Sequence, residues 1–107
     1  MDKRKRFTKT FIEYAPEKPG IYFIWQGDTY TCYYVGKADK SIKSRLKRHL
    51  QDPSQRLKAY LANDDATFSF KLMEGSSSEE IFAKETLYIK KFNPHGNISQ
   101  SNRIRRS

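Results

Sequence analysis

The sequence predicts an α+β domain of the α/β sandwich type: a small three-stranded antiparallel sheet flanked by helices, in the order β-β-α-α-β-α. Three observations carry this expectation. Two aromatic, β-branched runs, at 21–25 and 32–35, are joined across Gln26-Gly27-Asp28 and read as a β-hairpin. A third run, at 67–72, alternates Phe68, Phe70 and Leu72 with Thr67, Ser69 and Lys71. Between and after these runs, apolar residues recur at helical spacing, and a small antiparallel sheet covered by helices is the economical way to bury such a set.

Before the hairpin, the first nine residues are basic with little to bury, so they are expected to be frayed. Phe11, Ile12 and Tyr14 suit a short docking turn, and Pro16 and Pro19 then extend the chain into the first strand. Alternation assigns Tyr22 and Ile24 to one face and Ile21, Phe23 and Trp25 to the other. By the same rule Tyr34 shares a face with Cys32, and Val35 with Tyr33. Apolar groups on both faces imply a hairpin covered on both sides. Gly36 is expected to end the second strand, either for a close approach or for a positive φ.

Ser41 is an N-cap for a helix whose stripe is Ile42, Leu46 and Leu50. Arg45 and His49, four apart, form an adjacent row, while Lys43, Lys47 and Arg48 point outward. Asp52-Pro53 starts a second helix with Leu57, Tyr60 and Leu61 inward, ending at Asn63-Asp64-Asp65. The third strand should bury Phe68, Phe70 and Leu72 and leave its other face wetter. Two overlapping capping boxes, Ser76 with Glu79 and Ser77 with Glu80, open a long helix to about Phe92. Its stripe is Ile81, Phe82, Tyr88, Ile89 and Phe92, with Glu85 inside it. Pro94 stops the helix and Gly96 permits a turn.

At 107 residues the chain has room for one modest core. A single domain over 1–107 is expected, with a core at about 19–97, a basic arm at 1–10 and a polar, basic tail at 98–107. Lys and Arg outnumber Asp and Glu 21 to 12, a net charge of +9, which suits a polyanion or an anionic membrane surface without choosing between them. A single cysteine, Cys32, excludes an internal disulfide and a cysteine-built metal site. No run is long and apolar enough to span a bilayer, and the charged N-terminus has no apolar run behind it. A reducing, cytoplasmic setting with no membrane partner is the expectation.

Glu85 is the most informative single residue. A carboxylate inside a buried stripe is costly unless it is paired or holds a metal. One reading is a structural ion pair with Arg45 or a lysine; the other is a Mg²⁺ or Mn²⁺ ligand, since hard cations accept one carboxylate plus waters and phosphate oxygens. Asp28 and Asp39 could supply a second carboxylate, but both sit at turn positions, so one ion is expected. Arg45 could clamp a phosphate bidentately, and His49 could relay a proton near neutral pH. Tyr22 and Tyr34 read as packing groups or as catalysts. A free phenol titrates at about 10, so a nearby cation such as Lys37 would be needed to favour the phenolate. His95 reads as a surface residue. Asn97 reads as pinning the turn against the hairpin, or as reaching a backbone phosphate.

Together these residues resemble the GIY-YIG nuclease family. Gly20-Ile21-Tyr22 is its first signature, Tyr34-Val35-Gly36 stands for the second with Val for Ile, and Lys37 follows. Arg45 and His49 match the family arginine and the histidine four residues on. Glu85 matches the metal-binding glutamate, and the run through Phe92-Asn93-Pro94 to Asn97 matches the closing motif. Arg45 lies one residue farther from Gly36 than in many members, an insertion that falls in the loop before Ser41. The resemblance implies a stand-alone catalytic domain. Its activity would be Mg²⁺-dependent hydrolysis of DNA phosphodiesters to 5′-phosphate and 3′-hydroxyl ends, as in DNA repair or recombination, with DNA and a recruiting protein as partners. It implies Tyr22, Tyr34, Lys37, Arg45, His49 and Glu85 as catalytic residues, Glu85 as the metal ligand, and Gly20, Gly36 and Asn97 as structural or phosphate-contacting. The alternatives are a nucleic-acid-binding module that no longer cuts and a basic scaffold for a protein partner.

Overall fold

The computed structural model describes residues 4–51, 58 and 65–97. Strand β1 (Lys5–Arg6) and helix α1 (Lys9–Ile12) precede the hairpin of β2 (Gly20–Gln26) and β3 (Cys32–Ala38). Helix α2 (Ile42–Gln51), strand β4 (Ala66–Leu72), helix α3 (Ser78–Phe92) and a 3₁₀ turn at His95–Asn97 follow. The class is α+β as expected, but the sheet has four strands, all antiparallel, in the order β1-β4-β2-β3. The described order is therefore β-α-β-β-α-β-α. The second helix expected from Asp52 lies outside the described residues apart from Lys58, as does the tail from Ile98.

The extra strand replaces the frayed arm. Lys5 pairs with Phe68 and Arg6 with Thr67, and Phe7 drops into the core beside Phe68. Arg4 stacks its guanidinium 4.0 Å over Trp25 and donates to the carbonyls of Gly27 and Thr29. A two-residue strand of cations has no alternation to detect, and a basic edge is the usual guard against further strand pairing. Thr8 caps α1, which buries Ile12 and leaves Phe11 and Tyr14 exposed.

The hairpin register runs from Gly20 opposite Ala38 to Ile24 opposite Tyr34, then shifts so that Trp25 faces Cys32. Tyr33 is the extra residue of a bulge. One inserted residue reverses the faces beyond it, so Cys32 packs with Val35 and Tyr33 with Tyr22, the opposite of simple alternation. Gly36 does not end the strand, which continues to Ala38.

Both faces are covered. Tyr22, Ile24, Phe68, Ala38, Ile42 and Leu46 fill one core, and Ile21, Phe23, Trp25, Val35, Ile81 and Ile89 fill the other. The face of β4 expected to be wetter is dry at Ser69, because Trp25 of β2 crosses it and its indole N–H donates to Ser69 Oγ at 2.9 Å. Leu72, by contrast, is exposed at the strand end. Of the two capping boxes, Ser77 with Glu80 forms: Glu80 N–H donates to Ser77 Oγ and Ser77 N–H to Glu80 Oε1. Phe82 leaves the buried stripe and is 49% exposed. At the helix end Asn93 is left-handed, with φ 46°, and Gly96 lies in the 3₁₀ turn that follows, as expected.

Candidate active site

The edge strand β3, helix α2 and helix α3 meet around the hydroxyl of Tyr22. On β2, Tyr22 lies opposite Gly36 of β3. Its ring lies across that glycine: a Cβ at Gly36 would sit 2.2 Å from Tyr22 Cζ and 2.3 Å from its hydroxyl. The missing side chain is therefore what lets the phenol lie across the edge strand. Gly20 allows a comparable approach to β4, where a Cβ would meet the Lys71 carbonyl oxygen at 2.2 Å.

Helix α2 brings His49 to the same point. The stripe Ile42, Leu46 and Leu50 fixes its rotation, Ile42 and Leu46 being fully buried, and this leaves His49 half-buried above the sheet edge. His49 Nε2 is 2.6 Å from the Tyr22 hydroxyl oxygen. Tyr34 completes the group, its ring 4.9 Å from that of His49 and 6.1 Å from that of Tyr22.

The electrostatics assign the protons. Burial lowers the His49 imidazole to about 4, and the Arg45 and Arg48 guanidinium groups push it the same way. Burial also pushes Tyr22 well above the ordinary phenol range. The Tyr34 and Glu85 side chains raise it further, against the pull of Arg45. Burial and Glu85 likewise raise Tyr34. Near neutral pH the imidazole is uncharged and both phenols hold their protons, so Tyr22 and His49 share a neutral hydrogen bond whose direction follows the imidazole tautomer.

Glu85 is buried, 4% exposed, and stands on α3 between Ile81 and Ile89. It acts on both phenols, as Arg45 of α2 does with the opposite sign. A carboxylate from one helix, a guanidinium from another and two hairpin phenols thus share one electrostatic neighbourhood. Among the described residues no three His, Cys, Asp or Glu side chains gather as a metal cluster. The donor set built on Glu85 is one carboxylate, which fits a hard divalent cation completing its shell with waters and phosphate oxygens.

Lys37 does not join the phenols. It lies on β3 between Gly36 and Ala38, where alternation turns it from the Tyr22 side, and its Nζ is 2.9 Å from Asp39 Oδ2. It is not among the charges acting on either tyrosine, both of which are raised, so the expected cation-stabilised phenolate is not what this arrangement provides. Asp28 and Asp39 are exposed. Asn97 is buried and clips the free edge of β3: Val35 N–H donates to its Oδ1, and its Nδ2 donates to the Val35 carbonyl, each at 2.9 Å. Gly96 lets that turn press on β3, since a Cβ there would meet the Tyr33 carbonyl oxygen at 2.5 Å. The side chain of His95 lies outside the described residues.

Beside the phenol group an open hollow of about 410 Å³ is lined by Asp39, Lys40, Ser41, Ser44, Arg45 and Arg48. Sequence reasoning passed over Lys40 and turned Arg48 outward. The signal available was the i, i+3 spacing of Arg45 and Arg48, which puts two guanidinium groups on one side of α2.

Residues 18–99 match the family described as the GIY-YIG catalytic domain. Two curated relatives are UvrABC system protein C of Pediococcus pentosaceus, 34% identical over 83 residues, and that of Methanosphaera stadtmanae, 36% identical over 88. The matches cover 78% and 79% of this chain but only 13% and 14% of those relatives. Among solved structures, the N-terminal endonuclease domain of UvrC from Thermotoga maritima, bound to its catalytic magnesium, superposes with a TM-score of 0.66 at 27% identity, covering 83% of this chain and 93% of that one. An asparagine-to-alanine point mutant of the same domain, bound to its catalytic divalent cation, gives 0.65 at 26% identity, covering 82% and 91%.

Proposed function

We propose that this chain, which belongs to the GIY-YIG family, is a Mg²⁺-dependent endonuclease domain, as its likeness to the magnesium-bound UvrC domain supports, and that it hydrolyses DNA phosphodiesters by a one-ion, in-line attack, leaving 5′-phosphate and 3′-hydroxyl ends. The observation that carries this reading is the short contact between Tyr22 and His49 beside a buried carboxylate.

Glu85 would hold the ion. Bound there, it supplies charge neutralisation at the scissile phosphate and at the leaving 3′ oxygen. The chain's own residues handle the proton. A phenol raised above its usual range is no base by itself. Tyr22 can nevertheless take a proton from the attacking water while passing its own along the 2.6 Å contact to His49 Nε2. His49 is deprotonated at neutral pH and so able to receive it. An arriving phosphate opposes the charge of Arg45 and Arg48, which raises the imidazole's proton affinity when it is needed. Tyr34 orients the water or the phosphate, and Arg45 neutralises the charge that builds on the phosphorane. Asn97 and Gly36 set the shape of the site rather than its chemistry. In this reading the core is about 19–97, the setting is cytoplasmic, and a recruiting protein directs the cut, as the UvrABC system name of the relatives suggests.

The test is nicking of plasmid DNA with and without Mg²⁺. Glu85→Gln and chelation should both bring cleavage to background. Tyr22→Phe should lower the rate by about 10²–10⁴, the range for a lost acid–base group, and Tyr34→Phe by less. An active Tyr22→Phe beside a dead Tyr34→Phe would reverse the roles of the two phenols. A wild-type chain that cuts no better than Glu85→Gln would remove the nuclease reading altogether.

A further inference from the structure

The cations of helix α2 divide into two groups. Lys43 and Lys47 turn toward α1, where their Nζ atoms lie 3.4 Å and 2.6 Å from the Glu13 carboxylate. Lys40 and Arg48 turn to the other side and line the hollow with Arg45, and among the described residues neither is paired with a carboxylate. The one acid on the rim, Asp39, is engaged by Lys37 at 2.9 Å.

The hollow is not a helix N-terminus site. The first amides of α2 are already satisfied: Ile42 N–H donates to the Lys18 carbonyl and Lys43 N–H to the Pro16 carbonyl, each at 3.0 Å. Ser44 N–H donates to Ser41 Oγ at 3.1 Å. What remains to meet an anion is side-chain charge. The hollow, about 410 Å³ and open to solvent, has room for a phosphate group. It adjoins the catalytic group, since Arg45 and Arg48 both act on His49.

We infer that this hollow is a second phosphate subsite, which takes the backbone phosphodiester next to the one that is cut, with Lys40 and Arg48 as its positioning cations. The inference rests on the nuclease reading for the identity of the strand. Arg45 and Arg48 are three residues apart, ~4.5 Å along the helix, comparable to one step of a nucleic-acid strand, ~3.4 Å along its axis. Arg45 then faces the scissile phosphate while Arg48 and Lys40 hold its neighbour.

The test is binding of a short DNA duplex in chelator, so that nothing is cut, across a salt titration. It compares wild type with K40Q/R48Q and with K43Q/K47Q. Both pairs remove two cations from exposed or half-buried positions of the same segment. K40Q/R48Q should lower the slope of log affinity against log salt by about 1, the effect of losing one phosphate contact, and K43Q/K47Q should leave it nearly unchanged. Equal changes in the two pairs would mean a general positive field and overturn the subsite. An unchanged slope in K40Q/R48Q would overturn it as well. Wild-type cleavage in Mg²⁺ is scored separately. Loss of cleavage with the slope difference intact sinks only the nuclease reading, and cleavage without the slope difference sinks only the subsite.

Discussion

On the α3 side of β2, Phe23, Trp25, Tyr88 and Phe92 interlock, with Phe23 edge-on to Tyr88 at 5.0 Å and Trp25 edge-on to Phe92 at 5.2 Å. On the α2 side of the same strand, Tyr22 meets Tyr34 and His49 at similar ring separations. Both are aromatic clusters on one strand, yet their polar groups are used differently. In the first, the buried indole N–H ends on Ser69, and among the described residues the chain of hydrogen bonds goes no further. In the second, hydroxyl and imidazole form a chain beside a guanidinium and a carboxylate. Burial in the first cluster yields stability. In the second it sets protonation, because removing water from a phenol or an imidazole favours the neutral form.

Truncation breaks the comparison most sharply. Phe23→Ala deletes a fully buried ring and should cost about 3–5 kcal/mol, read as a large drop in denaturant midpoint. Tyr22→Phe, one position away, removes only a hydroxyl and should cost about 1 kcal/mol while it cripples cleavage. If Tyr22→Phe proved as destabilising as Phe23→Ala, the two clusters would not divide between packing and proton handling.

Ser69→Ala sharpens it at smaller scale. The Trp25 indole N–H would lose its partner in a dry place, which costs about 1–3 kcal/mol, visible in thermal melts. Cleavage per folded molecule should stay at the wild-type level, because Ser69 lies on the face away from Tyr22. A cleavage loss larger than the folded fraction explains would show that the α3 cluster also tunes the site.

Much of this arrangement was legible in the chain. Ile42, Leu46 and Leu50 fix the phase of α2, and so place Arg45 and His49 on its neighbouring row. Glu85 stood out as a carboxylate in an apolar stripe, and the structure buries it there. The meeting of Tyr22 with His49, 27 residues apart in sequence, came only through the family resemblance, since no local period encodes it. The bulge at Tyr33 was illegible because one extra residue in a strand leaves no compositional mark. Strand β1 was illegible because two cations carry no alternation. The dryness of Ser69 depends on a tryptophan from the adjacent strand. Lys37 follows Gly36 in sequence but turns to the opposite face of β3, with Asp39 as its partner, a placement that its adjacency to Gly36 does not reveal.

A pH dependence of stability is the effect that only the polar cluster should show. The folded chain holds His49 at about 4, against an ordinary 6.5. Between those values the unfolded chain carries a proton on this residue and the folded chain does not. Stability therefore rises with pH across that window and is lost as pH falls from about 6.5 toward 4. Glu13, Asp39 and Glu80 are lowered from 4.5, 3.8 and 4.5, so their own losses on acidification begin lower. The upper part of the window thus lies above the range of those three carboxylates. Denaturant midpoints for wild type and His49→Gln, taken from pH 7 to 5, should diverge: the wild type declines on acidification, and the variant, with no group to protonate, declines less. Parallel curves would mean that the imidazole is not held neutral by its burial against Tyr22. The phenol would then lack the acceptor on which its role in the reaction depends.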